Sequence, residues 1–380
     1  MKKVKIFITL LILVLCITGC EQEKEMKKET KKEEEKVEDT GIFKDYYKQA
    51  REAVKNMSTK EKVGQLFLVR YNASDVEYLS NFYPGGYILF AKDFENHTKE
   101  SIKKEIEKDQ SLNKYPLIMG IDEEGGFVTR VSRFSSFREE RFKSPRAYYE
   151  EGGYSLLEQT ENEKAQLLLS IGINLNLAPV ADISTNENDF INNRAFGRGA
   201  QETSEYIEKM VEYANQNHIN SCLKHFPGYG NNEDTHTGIA IDERSYENFL
   251  ENDYKPFAAG INANVPSVLV SHNIVKSMDE EYPASLSQKV IKELRETLNF
   301  TGIIMTDDLA MDAVKSYVED GRAATLAINA GNDMIVTSDF MGMKNEVIQS
   351  VEDGTISEET LNTAVTRIIA WKYYSGLYEK

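Results

Sequence analysis

The strongest constraint on the fold is an alternation of eight short apolar runs with longer stretches of helical periodicity. The runs lie at 65–69, 86–90, 117–121, 173–180, 221–223, 268–270, 303–306 and 334–336. Each is short, and most are rich in β-branched residues, as expected of a strand buried on both faces. Helix-period stretches occupy 99–110, 156–171, 203–217, 246–262, 286–298, 312–329, 341–351 and 357–374. Strands alternating with helices imply parallel βαβ units. Eight such units are the count of a TIM (β/α)8 barrel, and one α/β domain over residues 42–380 suits that fold in length. A doubly wound sheet fits less well, because no Gly-rich phosphate fingerprint follows the first strand. Ahead of the barrel, 46–56 reads as an amphipathic helix, and Ser58 and Glu61 have the spacing of a capping box.

The beginning of the chain has a different character. Met1-Lys2-Lys3-Val4-Lys5 is followed by an apolar run from Ile6 to Ile17 and then Thr18-Gly19-Cys20. A basic start, a short apolar core and small residues make 1–19 a secretory signal, too short for a membrane span. The tetrad Ile17 to Cys20 resembles a bacterial lipobox. That implies cleavage before Cys20, lipid on its thiol, and an exported protein anchored to the membrane and facing outward. Beyond the lipidated Cys20, the rest of 20–41 is mostly Lys and Glu with little to bury, and is expected to be a disordered tether. Cys16 leaves with the signal, so Cys222 remains alone and no intrachain disulfide is expected. The net charge of −17 argues against a nucleic-acid partner and leaves a neutral substrate such as a sugar open.

In a barrel of this kind chemistry sits where strands end and loops begin. Polar residues gather at those places. The third run ends in Asp122-Glu123-Glu124-Gly125-Gly126, with Arg130 close behind. The fourth ends in Ala178-Pro179-Val180-Ala181-Asp182 and is followed by Asn193-Arg194-Ala195-Phe196-Gly197. The fifth ends in Lys224-His225, the sixth in Ser271-His272-Asn273, and the seventh in Thr306-Asp307-Asp308. Strand alternation does not choose between Asp307 and Asp308. His272 reads as a satisfied structural histidine. Asp234 and His236 lie two apart, so on an extended backbone the carboxylate can orient the imidazole for general acid/base work. Lys224 and His225 are adjacent and would face opposite ways in a regular strand. If both touch one ligand, the backbone there must be irregular, with a strained or cis peptide as one form.

Taken together, these motifs resemble the family three glycoside hydrolases, specifically their β-N-acetylglucosaminidase branch. Lys-His-Phe-Pro-Gly stands unbroken at 224–228, Asp-x-Glu-Gly-Gly with its arginine at 122–130, Arg-x-Phe-Gly at 194–197, and the apolar strand with Thr-Asp-Asp-Leu at 303–309. The resemblance implies a retaining exo-glycosidase without metal or cofactor. Its nucleophile would be Asp307, and His236 paired with Asp234 would serve as acid/base in place of a second carboxylate. Asp122, Arg130, Arg194, Lys224 and His225 match positions that hold a terminal N-acetylglucosamine, with peptidoglycan fragments as a plausible source. Tyr229 stands where the family usually has histidine, and the interval from Lys224 to His236 is one residue shorter than the common pattern. These departures keep a surface sugar-binding lipoprotein without turnover in view, and a β-glucosidase-like member is the other alternative.

Overall fold

The computed structural model describes residues 39–230, 240–318 and 321–378. The expected signal, Cys20 and the tether up to residue 38 lie outside the described residues, as do Asp234 and His236. Eight strands build the barrel: β1 (Phe67–Arg70), β2 (Gly86–Leu89), β3 (Ile118–Ile121), β4 (Leu175–Asn176), β5 (Asn220–Phe226), β6 (Ser267–Val270), β7 (Ile303–Thr306) and β8 (Ile335–Thr337). They pair in parallel, in the order β8-β1-β2-β3-β4-β5-β6-β7. The sheet closes through a parallel bridge between Met305 and Met334, where the Thr306 amide donates to the Met334 carbonyl at 3.1 Å. This is the TIM barrel expected from the alternation.

The strand residues are buried because helices cover the outside of the barrel and side chains fill its inside. Ile303, Ile304 and Met305 are fully buried. Ser58 caps the helix Thr59–Gln65 with a complete capping box, its side chain accepting from the Glu61 amide while Glu61 accepts from the Ser58 amide.

Three elements differ from the sequence reading, each for a local reason. Of the run 173–180 only the two residues of β4 form a continuous strand; past Pro179, which has no N–H to donate, pairing resumes as a single bridge from Val180 to Lys224. The helix expected from 156 begins just after Gly153 and is preceded by a further helical stretch from Pro145, capped by Ser144, with non-helical backbone at Gly152 and Gly153 between the two. The stretch 312–329 forms two helices, Asp312–Tyr317 and Ala323–Ala330, with Gly321 between them at φ +72°.

Near the N-terminal ends of β7 and β8, the buried Asp333 carboxylate pairs with two guanidinium groups. Arg295 donates to it at 2.6 Å, and Arg367 contacts its other oxygen. The same carboxylate accepts from the Ile304 amide at 2.8 Å, and Arg295 also donates to the carbonyls of Phe300 and Gly302.

Candidate active site

The opposite rim collects the polar strand ends. Directly after β3 the chain places three carboxylates in succession, and the backbone alternation sends them in different directions. Glu123 is fully buried and accepts from the amides of Arg130, Val131 and Ser132 and from the Ser132 hydroxyl. It folds the loop that carries Arg130. Asp122 and Glu124, two apart, turn toward Lys224 at the end of β5. The Lys224 ammonium donates to Asp122 Oδ1 at 2.6 Å and lies 2.7 Å from Glu124 Oε1. Arg194 completes the cluster with two bonds to Glu124, at 3.0 and 2.7 Å.

The charges in this cluster stabilise one another. Burial alone would raise Glu124, but Lys224 and Arg194 outweigh it and hold the carboxyl well below the ordinary range. Burial likewise opposes the charge on Lys224, yet Asp122 and Glu124 raise its pKa above that of a free lysine. Arg194 is raised for the same reason, chiefly by Glu124. All three therefore stay ionised near neutral pH.

His225 is held from both sides. Its Nδ1 donates to Asp182 at 2.7 Å, and an Arg194 N–H lies 3.2 Å from Nε2. Asp182 also accepts the backbone amides of His225 at 3.1 Å and Tyr229 at 2.7 Å. One carboxylate thus fixes the ring and the turn behind it. The Lys224–His225 peptide is cis, so two adjacent side chains join the same network, matching the irregular backbone expected from the sequence. Tyr229, at the family's usual histidine position, is buried edge-on against His225, with ring centroids 5.4 Å apart.

Arg130 is placed differently. Its guanidinium lies over the Phe90 ring at 5.2 Å, and Arg70 lies over the same ring at 4.7 Å. The Arg130 Nε is buried without a hydrogen-bond partner. An arginine supported by an aromatic ring and left with an unsatisfied donor retains capacity for a ligand.

Asp307 follows β7 on the same rim, and its Oδ1 accepts the Asp308 amide at 2.8 Å. Asp308 serves the backbone instead. Its Oδ1 accepts the amides of Ala310 at 2.8 Å and Ser338 at 3.1 Å, tying the loop after β7 to the end of β8. His272 is structural, with Nδ1 on the Ser285 hydroxyl at 2.8 Å and Nε2 on the Asp308 carbonyl at 3.1 Å. Cys222, buried in β5, has its thiol pushed up to about 12 by burial and is no nucleophile. Among the described residues, no group of three or more His, Cys, Asp or Glu is placed to hold a metal ion.

The structure therefore joins Asp122, Arg194, Lys224 and His225 in one network, with Arg130 and Asp307 on the same rim. Sequence reasoning did not single out Glu124 and Asp182. Glu124 was discoverable, because it lies two residues from Asp122 and shares its face. Asp182 meets His225 only through the adjacency of β4 and β5, which no spacing along the chain encodes.

Comparisons with known proteins agree with this architecture. Residues 58–371 match the model of the glycosyl hydrolase family 3 N terminal domain. A beta-hexosaminidase of Methylobacillus flagellatus is 28% identical over 280 residues, 70% of this chain and 77% of that protein. The beta-hexosaminidase of Haemophilus influenzae is 30% identical over 297 residues, 75% of this chain and 80% of that protein. A solved glycoside hydrolase family 3 beta-N-acetylglucosaminidase from Paenibacillus sp. str. FPU-7 superposes with a TM-score of 0.79 at 27% identity. That match covers 85% of this chain and 63% of the solved one. With the family model spanning the barrel from its first helices to its last, the chain belongs to glycosyl hydrolase family 3 and is a glycoside hydrolase.

Proposed function

We propose that this enzyme is a retaining, exo-acting β-N-acetylglucosaminidase that removes terminal N-acetylglucosamine from peptidoglycan fragments. The observation that carries the reading is the network of Asp122, Glu124, Lys224, Arg194 and His225 on the same rim as Asp307. Asp122 is an acceptor for sugar hydroxyls, while Lys224, Arg194 and Arg130 are donors fixed in charge and direction. Such a site holds one sugar ring by its polar edge. The names of the two relatives and of the solved structure support the choice of sugar.

In the proposed reaction the Asp307 carboxylate attacks the anomeric carbon and forms a glycosyl ester. The glycosidic bond breaks as its oxygen takes a proton from His236, which Asp234 orients. His236, now neutral, then removes a proton from water, and the resulting attack frees the sugar and restores Asp307. The lipid at Cys20 would hold the enzyme at the outer face of the membrane, where such fragments are met.

The test is hydrolysis of p-nitrophenyl β-N-acetylglucosaminide by wild type, Asp307→Ala and His236→Ala, with the β-glucoside as control. Wild type should cleave the first substrate and barely touch the second. Asp307→Ala should lose about 10⁴-fold or more, and His236→Ala about 10²–10³-fold. A wild type that prefers the glucoside, or an active Asp307→Ala, would contradict the reading.

A further inference from the structure

Gly228 and Asp242 stand on either side of the chain segment that contains Asp234 and His236, and both are bound by one side chain, Arg244. Its Nη2 donates to the Gly228 carbonyl at 3.1 Å on the outgoing side and to Asp242 Oδ2 at 2.7 Å on the returning side. The Nε donates to Asp242 at 3.0 Å, and Nη1 donates to Asp253 at 2.9 Å. All three nitrogens of the guanidinium are therefore engaged. Its flat faces are covered too. The Phe249 ring lies 4.4 Å from Cζ, and a Cβ added at Gly230 would fall 2.5 Å from the same atom. Gly230, at φ +57°, thus packs directly on the guanidinium.

The partners of Arg244 are themselves fixed. Asp253 opens the helix Tyr254–Asn262, and both carboxylates are almost wholly buried. The returning end pairs with the chain after β6, where the Ile274 amide donates to the Ala240 carbonyl at 2.9 Å and the Lys276 amide to the Asp242 carbonyl at 3.0 Å. The outgoing end is the turn that Asp182 holds through the Tyr229 amide. Arg244 ties these two separately anchored ends together.

We infer that Arg244 is a positioning residue for proton transfer, because it fixes both the point where this segment leaves the barrel and the point where it returns. The inference rests on the reading of His236 as acid/base given above. Proton transfer demands hydrogen-bond contact with the glycosidic oxygen, so a shift of about 1 Å at the anchors is enough to lose about 10²-fold in rate. The planar fork is what the role requires. A lysine keeps a positive charge beside Asp242 and Asp253 but lacks the fork that reaches Gly228, Asp242 and Asp253 at once.

The experiment measures kcat/KM of the full chain on two β-N-acetylglucosaminides, the dinitrophenyl and the p-methoxyphenyl. Dinitrophenolate departs without a proton, whereas the methoxyphenol needs one. Wild type, Arg244→Lys and His236→Ala are compared. Arg244→Lys should lose about 10²-fold on the methoxyphenyl substrate and stay near wild type on the dinitrophenyl one. Equal losses on both substrates, or no loss on either, would show a merely structural arginine and overturn the inference. Should Arg244→Lys fail to fold, Asp253→Asn loosens the same guanidinium while leaving it in place, and the same ratio decides.

His236→Ala separates this result from failure of the parent reading. If it shows the leaving-group dependence and Arg244→Lys does not, the inference alone falls. If His236→Ala also treats both substrates alike, the acid/base reading falls and takes this inference with it.

Discussion

The barrel contains two buried carboxylates, each held between two cations, at opposite ends of its strands. Asp333, before β8, is paired with Arg295 and Arg367; Glu124, after β3, is paired with Lys224 and Arg194. Their surroundings separate them. Around Asp333 the bonds turn inward to backbone, with Arg295 on two carbonyls and the carboxylate on the Ile304 amide, and Arg367 Nε is buried without a partner. Around Glu124 the network opens outward, through Lys224 to the part-exposed Asp122 and through Arg194 to His225. Arg295 is pushed down to about 10 by burial and by Arg367, whereas burial fails to depress Lys224 or Arg194. An ion triad alone therefore does not mark a site, since structural networks perturb pKa values too. What marks the site is that its network reaches a part-exposed carboxylate at the rim, where a ligand can meet it, whereas the Asp333 carboxylate is closed off.

That contrast breaks if the two triads respond alike to mutation. Asp333→Ala should have the largest effect on stability, about 3–5 kcal/mol, because it strands two part-buried arginines and the buried Ile304 amide. Denaturant unfolding would measure it, and kcat/KM per folded molecule should stay near wild type. Glu124→Gln should divide its effect the other way. Lys224 keeps Asp122 as a partner, so stability should fall by less, about 1–3 kcal/mol. Turnover should fall about 10²-fold as Lys224 and Arg194 lose their fixed direction. A Glu124→Gln enzyme with full kcat/KM would make the upper triad as structural as the lower one.

The pH dependence sharpens the comparison. Glu124 is depressed, so its stabilisation is complete above about pH 4.3 and is lost as pH falls through its lower folded value. Lys224 is raised, so its stabilisation is complete below about pH 10.4 and is lost as pH rises through its higher folded value. Neither titrates near neutrality. A limb of the activity profile between about pH 5 and 8 must then come from a group such as His236.

A second pH effect belongs to Lys372 in the last helix. It is fully buried, with Gln65 Oε1 at 2.6 Å as its hydrogen-bond partner. Burial pushes its ammonium down to about 7. The unfolded chain binds this proton more tightly, so stability should rise with pH from about 7 toward the ordinary lysine value of about 10.4. Lys372→Met should flatten that rise in unfolding curves taken at successive pH values. An unchanged slope would show that another group carries it.

Much of this was legible because the barrel repeats one simple unit. Eight apolar runs separated by helical stretches define the fold, and its strand ends define the rim. An irregular backbone at Lys224–His225 was foreseeable because two adjacent residues that join one network cannot both face it from a regular strand. What stayed hidden depends on neighbours distant in sequence. Asp182 orients His225 across 43 residues, and Asp308 accepts an amide from Ser338, 30 residues on. The truncation of β4 and the break near Gly321 are backbone effects that override apolar periodicity.

The most direct test of the account is capture of the covalent intermediate. Wild type would be incubated with a slow-turnover fluorinated N-acetylglucosaminide, then digested and analysed by mass spectrometry. The account predicts one added sugar on the peptide containing Asp307, and none in Asp307→Asn. A label on another carboxylate, or none from an enzyme that turns the substrate over, would contradict it.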